Sequence, residues 1–186
     1  MIDTGDLRKG LTIEMDGNLY SIVDWEHIKM GRGGAKVRLK LRDVRAGHMF
    51  EQTYDSGAKF QRARVERQPA QYLYADGDIL YFMNTDSFEQ IAMNRDRVGD
   101  LALYLRENEE CSVLTYGEEA ISVELPAAVV LAVAETDPWV KGDTAQGGTK
   151  PAKMETGVTV QVPLFVNTGD KIKVDTRSGA YLERAS

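Results

Sequence analysis

The chain is poor in the residues that build redox and metal chemistry. One cysteine, Cys111, and two histidines, His27 and His48, are all that its 186 residues hold of either type. A single cysteine excludes an internal disulfide framework and fits a reducing compartment. The histidines lie far apart, with no cysteine or paired carboxylate at ligand spacing, so no metal site is expected. Cys111 follows Glu109 and Glu110, whose charge would raise a thiol pKa, and it reads as an inert buried thiol rather than a nucleophile. Phosphate-loop, nucleophile-elbow and dinucleotide motifs are all missing, so neither a cofactor nor an enzyme is expected. The pairs Glu109-Glu110 and Glu118-Glu119 read as solvated carboxylates at a helix end and a turn. No apolar run approaches the ~18–20 residues of a membrane span. The start, Met1-Ile-Asp-Thr-Gly-Asp6, lacks the basic and apolar regions of a signal peptide. The expectation is a cytoplasmic protein without a membrane partner.

What the chain does have is a cationic stretch. Seven cations, Lys29, Arg32, Lys36, Arg38, Lys40, Arg42 and Arg45, are interrupted only by Asp43. From Lys36 to Arg42 they alternate with Val37, Leu39 and Leu41, the period of a half-buried β-strand. Same-face neighbours on a strand stand about 6.5–7 Å apart, close to the phosphate repeat of a nucleic-acid strand. Just before the strand, Gly31-Arg32-Gly33-Gly34 forms a permissive turn with one large cation at its tip. The plain alternative is a solvated strand face. Solvent faces usually mix signs, however, because like charges at neighbouring positions repel, so contact with a polyanion is favoured through Lys29, Gly31, Gly33, Lys36, Arg38, Lys40 and Arg42.

The overall charge of −6 hides an asymmetry. Residues 1–64 carry twelve Lys/Arg against nine Asp/Glu, a net +3, which leaves −9 for the remainder. The polyanion contact therefore belongs to the N-terminal third, and the acidic remainder suits basic proteins or solvent.

Short strand-like runs fill the chain. Residues 11–15 and 18–23, joined by Asp16-Gly17, read as a hairpin, and residues 20–42 as a second one around Gly31–Gly34. Phe50–Tyr54 alternates as well. Periodicity breaks between Arg64 and Pro69, and Pro126 marks a second boundary. Between them, Val98, Leu101, Ala102 and Leu105 predict one short helix over about residues 96–108. Tyr72, Tyr74, Tyr81 and Phe82 sit among acids, so core packing is expected over base stacking, with Tyr72 and Tyr74 on one strand face. In the last third, strands are expected at Val129–Val133, Val158–Phe165, Lys171–Val174 and Tyr181–Leu182, with a long polar loop from Asp137 to Lys153. The reading is an all-β chain of three small barrels, residues 1–64, 65–126 and 127–186, each marginal alone.

Between Lys150 and Gly169 runs Lys150-Pro-Ala-Lys-Met-Glu-Thr-Gly157-Val-Thr-Val-Gln-Val-Pro163-Leu-Phe-Val-Asn-Thr-Gly169. This stretch resembles the signature of the bacterial translation elongation factor P family. Similar segments lie at Gly5–Gly10, Tyr72–Gly77, Phe82–Gln90, Thr136–Thr144 and Lys171–Tyr181, so the resemblance covers essentially the whole chain in order. It implies an SH3-like (KOW) N-terminal barrel followed by two OB-fold barrels in an L-shaped, tRNA-like arrangement. It also implies a monomeric factor that enters the ribosome between the peptidyl and exit sites and relieves stalling at consecutive prolines.

In that family the hairpin tip, here Arg32, reaches the CCA end of peptidyl-tRNA. Many members carry there a lysine extended by a β-lysyl group, and the eukaryotic counterpart carries hypusine; both need an ε-amino group that Arg32 lacks. Other members carry a rhamnosylated arginine, which makes Arg32 a candidate for a modifying enzyme, although Met30 stands where a proline is usual. The family's exit-site codon contact with mRNA is matched by Gly142, Asp143 and Thr144, for which a plain turn is the alternative. Two other readings stay open: a paralogue with altered stall specificity, and a non-ribosomal oligonucleotide-binding scaffold.

Overall fold

The computed structural model describes residues 1–139 and 147–186. Six strands build the first sheet: β1 (Ile2–Asp3), β2 (Thr12–Met15), β3 (Asn18–Met30), β4 (Gly34–Asp43), β5 (Met49–Asp55) and β6 (Lys59–Arg62). They are ordered β1-β6-β2-β3-β4-β5, every pair antiparallel. The β2–β3 turn is the expected Asp16-Gly17 pair, with φ of 51° and 78°, the positive values a two-residue hairpin turn requires. Val37, Leu39 and Leu41 of β4 are fully buried with Ile13 and Ile22, so the alternation read from sequence does face a core.

The second sheet contains β7 (Glu66–Asp76), β8 (Ile79–Asn84), β9 (Gln90–Asn94), β10 (Glu110–Tyr116) and β11 (Glu119–Glu124), in the order β11-β10-β7-β8-β9. Three expectations need correction. Glu66 to Pro69 do not end the periodicity but begin β7. Pro69 is tolerated because its carbonyl accepts from Thr85 beyond the end of β8, so its missing N–H also faces the side where the ladder has stopped. Tyr72 and Tyr74 do not share a face, since a bulge lies between them. Tyr72 and Phe82 are core, whereas Tyr74 is 45% exposed and stacks on Tyr81 at 4.8 Å.

The expected helix over 96–108 is shorter and tighter. One α turn, α1 (Arg95–Val98), gives way to a 3₁₀ helix over Gly99–Tyr104. Asn94 caps α1 through Asp96 N–H, and Gly99 at φ 66° ends it. The apolar spacing still did its work, because Val98 and Leu105 are buried and Leu101 and Ala102 pack on the same core.

The third sheet holds β12 (Ala128–Thr136), β13 (Thr149–Met154), β14 (Thr159–Pro163), β15 (Lys171–Asp175) and β16 (Tyr181–Ala185), ordered β14-β13-β12-β15-β16. β13 occupies the end of the stretch read as a loop. Its inward positions are Lys150, Ala152 and Met154, and a lysine at the first of them masks the alternation. Lys150 is 7% exposed, and its Nζ donates to the Asp137 carbonyl.

The first two sheets share a small core in which Leu19, Val44 and Ala63 meet Ile121, Leu114 and Tyr116. A polar clasp borders it. Glu119 accepts from Arg45 Nε at 3.0 Å and Nη2 at 2.9 Å, and Arg97 Nη1 lies 3.2 Å away. Tyr116 donates to Glu14 at 2.8 Å. Glu119, read as a solvated turn residue, is thus a bridge between sheets. The third sheet meets the second where Gly179 passes beneath Tyr104; a Cβ at residue 179 would stand 2.8 Å from the phenolic oxygen.

Candidate nucleic-acid interface

The two longest paired segments of the first sheet, β3 and β4, project a hairpin whose last registered pair is Met30 with Gly34. Gly31, Arg32 and Gly33 make the reversal, and Gly34 at φ 79° returns the chain to the ladder. All three turn residues are exposed, and Gly31 has open space where a Cβ would be. Arg32 is in no ion pair among the described residues, and neither is exposed Lys29 beside it. The tip therefore presents two exposed cations at the end of a two-stranded hairpin.

The blade below the tip differs from the sequence picture. Lys36, Arg38 and Lys40 do share the outer face, alternating with buried residues. Their sheet neighbours, however, are acids. Lys36 pairs with Asp55 at 2.8 Å and Arg38 with Glu26 at 2.9 Å. Lys40 stands in register between Asp24 on β3 and Glu51 on β5. The Lys36 ammonium holds the Asp55 carboxyl below its usual range, and Lys9 does the same for Asp24. Mixed signs along the face relieve the like-charge repulsion that the sequence run suggested. Exposed pairs of this kind contribute little to stability, because solvent screens them. Asp24, Glu26, Glu51 and Asp55 are the residues that reading one strand misses. Their signal is alternation on the flanking strands, visible once the register is known.

Arg42 leaves the blade altogether. It is half-buried, and its guanidinium lies where a Cβ of Gly99 would be, 2.6 Å from Nη2. The run of four thus divides into three face residues and one that packs against the 3₁₀ helix at Gly99. Gly142, Asp143 and Thr144 lie outside the described residues, which resume beside β13 and buried Lys150.

No cluster of three or more His, Cys, Asp or Glu capable of holding a metal occurs among the described residues. No helix of the described residues is long and apolar enough to cross a membrane. Cys111 is buried, and desolvation pushes its thiol up to about 12. Burial, rather than the neighbouring glutamates, is the cause.

Three family models match in succession. They are "Elongation factor P (EF-P) KOW-like domain" at residues 3–60, "Elongation factor P (EF-P) OB domain" at 65–123 and "Elongation factor P, C-terminal" at 129–184. The chain is 52% identical over 185 residues to an elongation factor P of Moorella thermoacetica, covering 100% of both chains. It is also 52% identical over 184 residues to one of Thermoanaerobacter sp., covering 99% of this chain and 100% of that one.

Proposed function

The chain belongs to the elongation factor P family, and we propose that it binds the ribosome between the peptidyl and exit sites and speeds peptide-bond formation at consecutive prolines. The observation that carries this reading is the hairpin. A member of the family, matched along its whole length by its relatives, presents Arg32, in no ion pair among the described residues, at the tip of the β3–β4 hairpin.

Proline restricts backbone geometry, so a prolyl donor reaches reactive alignment poorly. A factor that holds the CCA end of peptidyl-tRNA recovers orientational entropy without supplying an acid or a base. Arg32 suits that task because its planar guanidinium offers five donors in a fixed fork to phosphate or ribose oxygens. Lys29 adds charge at the same tip, while the blade residues Lys36, Arg38 and Lys40 guide approach. No reacting group is required of the protein, which acts by positioning.

The remaining assignments follow the same reading. Residues 1–64 carry the tRNA contact, 65–126 join the two ends, and 127–186 bring Gly142, Asp143 and Thr144 to the exit-site codon. Arg32 is the substrate of any modifying enzyme, and a sugar on its guanidinium would extend the tip toward the tRNA. Ribosome profiling of a deletion strain tests the proposal. Pauses confined to consecutive-proline codons support it, pauses at other motifs indicate altered stall specificity, and the absence of codon-specific pauses refutes a ribosomal role.

A further inference from the structure

Both strands of the hairpin that carries Arg32 are anchored at the joint with the second sheet. Leu19, near the start of β3, and Val44, one residue past β4, lie together in the small core completed by Ile121 and by half-buried Leu114 and Tyr116. Val44 N–H donates to the Leu19 carbonyl at 3.0 Å, closing the base of the hairpin inside that core. The apolar contacts resist separation of the two sheets, but burial is non-directional and specifies their angle only weakly. Directional bonds set an angle, and two struts supply them here.

The first strut is the Arg45 guanidinium. It donates to both carboxylate oxygens of Glu119, at 3.0 Å and 2.9 Å, and to the Gly17 carbonyl of the β2–β3 turn at 3.2 Å. One side chain thus joins the segment after β4, the turn before β3 and the first residue of β11. A guanidinium fork on a carboxylate fixes orientation as well as distance. The Arg45 backbone is itself held, because the Asp43 carboxylate accepts from Arg45 N–H at 2.9 Å and Ala46 N–H at 2.8 Å. On the far side, Arg97 Nη1 donates to the Ala120 carbonyl at 2.7 Å and stands 3.2 Å from Glu119. The second strut is Tyr116, whose hydroxyl donates to Glu14 Oε2 on β2 at 2.8 Å. Tyr116 ends β10 and Glu119 begins β11, so the struts cross the joint from either end of one tight turn.

We infer that Glu119 is a positioning residue for the hairpin tip: through Arg45, and with Tyr116 as the second strut, it sets the angle at which Arg32 meets the peptidyl-tRNA end. The inference rests on the elongation-factor reading, which makes the tip the working end. Antiparallel register runs from Tyr20 and Asp43 at the base to Met30 and Gly34 at the tip, with one bulge between Ile22 and Asp24. The ten residues of β4 span about 30 Å at ~3.3 Å per residue. A rotation of about 5° at the base carries the tip through roughly 2.5 Å, and a misplacement of about 1 Å already costs up to about 100-fold where catalysis is by alignment. Glu119 touches no reacting group, and its effect passes through Arg45.

The test follows Pro–Pro bond formation on ribosomes stalled at consecutive prolines, with the full chain added over a concentration series so that maximal rate and half-saturating concentration separate. Glu119→Gln is expected to lower the maximal rate about 3- to 10-fold, with the half-saturating concentration within about 2-fold of the parent's, because the tip residues are intact. Tyr116→Phe should lower the maximal rate about 2- to 3-fold, and the double variant should lower it most. Glu124→Gln, which removes the exposed pair with Arg67 inside the second sheet, should match the parent. A second readout needs no ribosome. Spin labels on Gly33→Cys and Asp86→Cys report the distance from tip to second sheet in the free protein, buried Cys111 leaving the label to the introduced thiols. That distance distribution should broaden in Glu119→Gln and not in Glu124→Gln. A parent-like maximal rate in Glu119→Gln, a loss confined to the half-saturating concentration, or a rate loss with an unchanged distance distribution would overturn the inference while leaving the elongation-factor reading intact. Where circular dichroism shows Glu119→Gln unfolded, Tyr116→Phe, which loses a single hydroxyl, decides by the same criteria. A parent that does not speed Pro–Pro bond formation would overturn both.

Discussion

Glu119→Gln removes the charge at the centre of the clasp between the first two sheets while keeping its shape. The parent carboxylate accepts two hydrogen bonds from Arg45 and lies 3.2 Å from Arg97 Nη1. Charge-assisted bonds of this type are worth roughly 1.5–3 kcal/mol each when water is excluded. Here the Arg45, Glu119 and Arg97 side chains are 33%, 33% and 29% exposed, so water recovers much of that. The expected net loss is about 1–2 kcal/mol. Urea unfolding followed by circular dichroism measures it, and a double-mutant cycle with Arg45→Gln should return a coupling of about 1 kcal/mol. The pH dependence gives a second readout. Hydrogen bonding from Arg45 lowers the Glu119 pKa from its ordinary 4.5. The contribution is therefore fully present above the unfolded value and is lost as pH falls through the lowered folded one. The gap between parent and Glu119→Gln should be constant at pH 6–8 and shrink below about pH 4. A gap under about 0.3 kcal/mol at neutral pH, or one that persists unchanged in acid, would refute the clasp.

Gly99→Ala should destabilise the fold by about 1–2 kcal/mol, because residue 99 holds φ 66° and the new Cβ would strike Arg42 Nη2; a melting temperature within a degree of the parent would contradict this. Lys36→Ala with Lys40→Ala should reduce the salt slope of ribosome binding by less than the ~0.7 of one full phosphate contact, since acids already face both lysines, whereas Lys29→Ala with Arg32→Ala should remove more. Equal effects from the two pairs would restore the uninterrupted cationic blade. Native Cys111 should resist alkylation at pH 8, where a thiol titrating at about 12 is almost wholly protonated, and should react at once in urea; rapid native labelling would show the burial to be wrong.

How much of this was legible follows from which interactions are local. The β2–β3 and β3–β4 hairpins were readable because turn glycines and period-2 alternation both lie within a few residues of the elements they define. β13 was not, since its inward Lys150 makes a buried strand look polar. The 3₁₀ helix kept the apolar spacing of an α-helix while Gly99 changed its backbone. At the candidate site, the exposed position of Arg32 and Lys29 was legible because the turn glycines that set it are local in sequence. The true setting of Lys36, Arg38 and Arg42 was not, because Asp55, Glu26 and Gly99 reach them only through strand register and sheet contact. Glu119 was missed for the same reason, its partner Arg45 lying 74 residues away.

The central claim is that the tip of the β3–β4 hairpin is the working end. Arg32→Ala and the parent should be compared for the rate of Pro–Pro bond formation on stalled ribosomes, with melting temperatures measured on the same preparations. Arg32 is exposed between glycines, so the substitution should leave stability within about 0.5 kcal/mol. The account predicts an unchanged melting temperature with a strong loss of Pro–Pro bond formation, and poor rescue by Arg32→Lys, which keeps charge but not the planar fork. Polyproline synthesis by Arg32→Ala at the parent rate would contradict it.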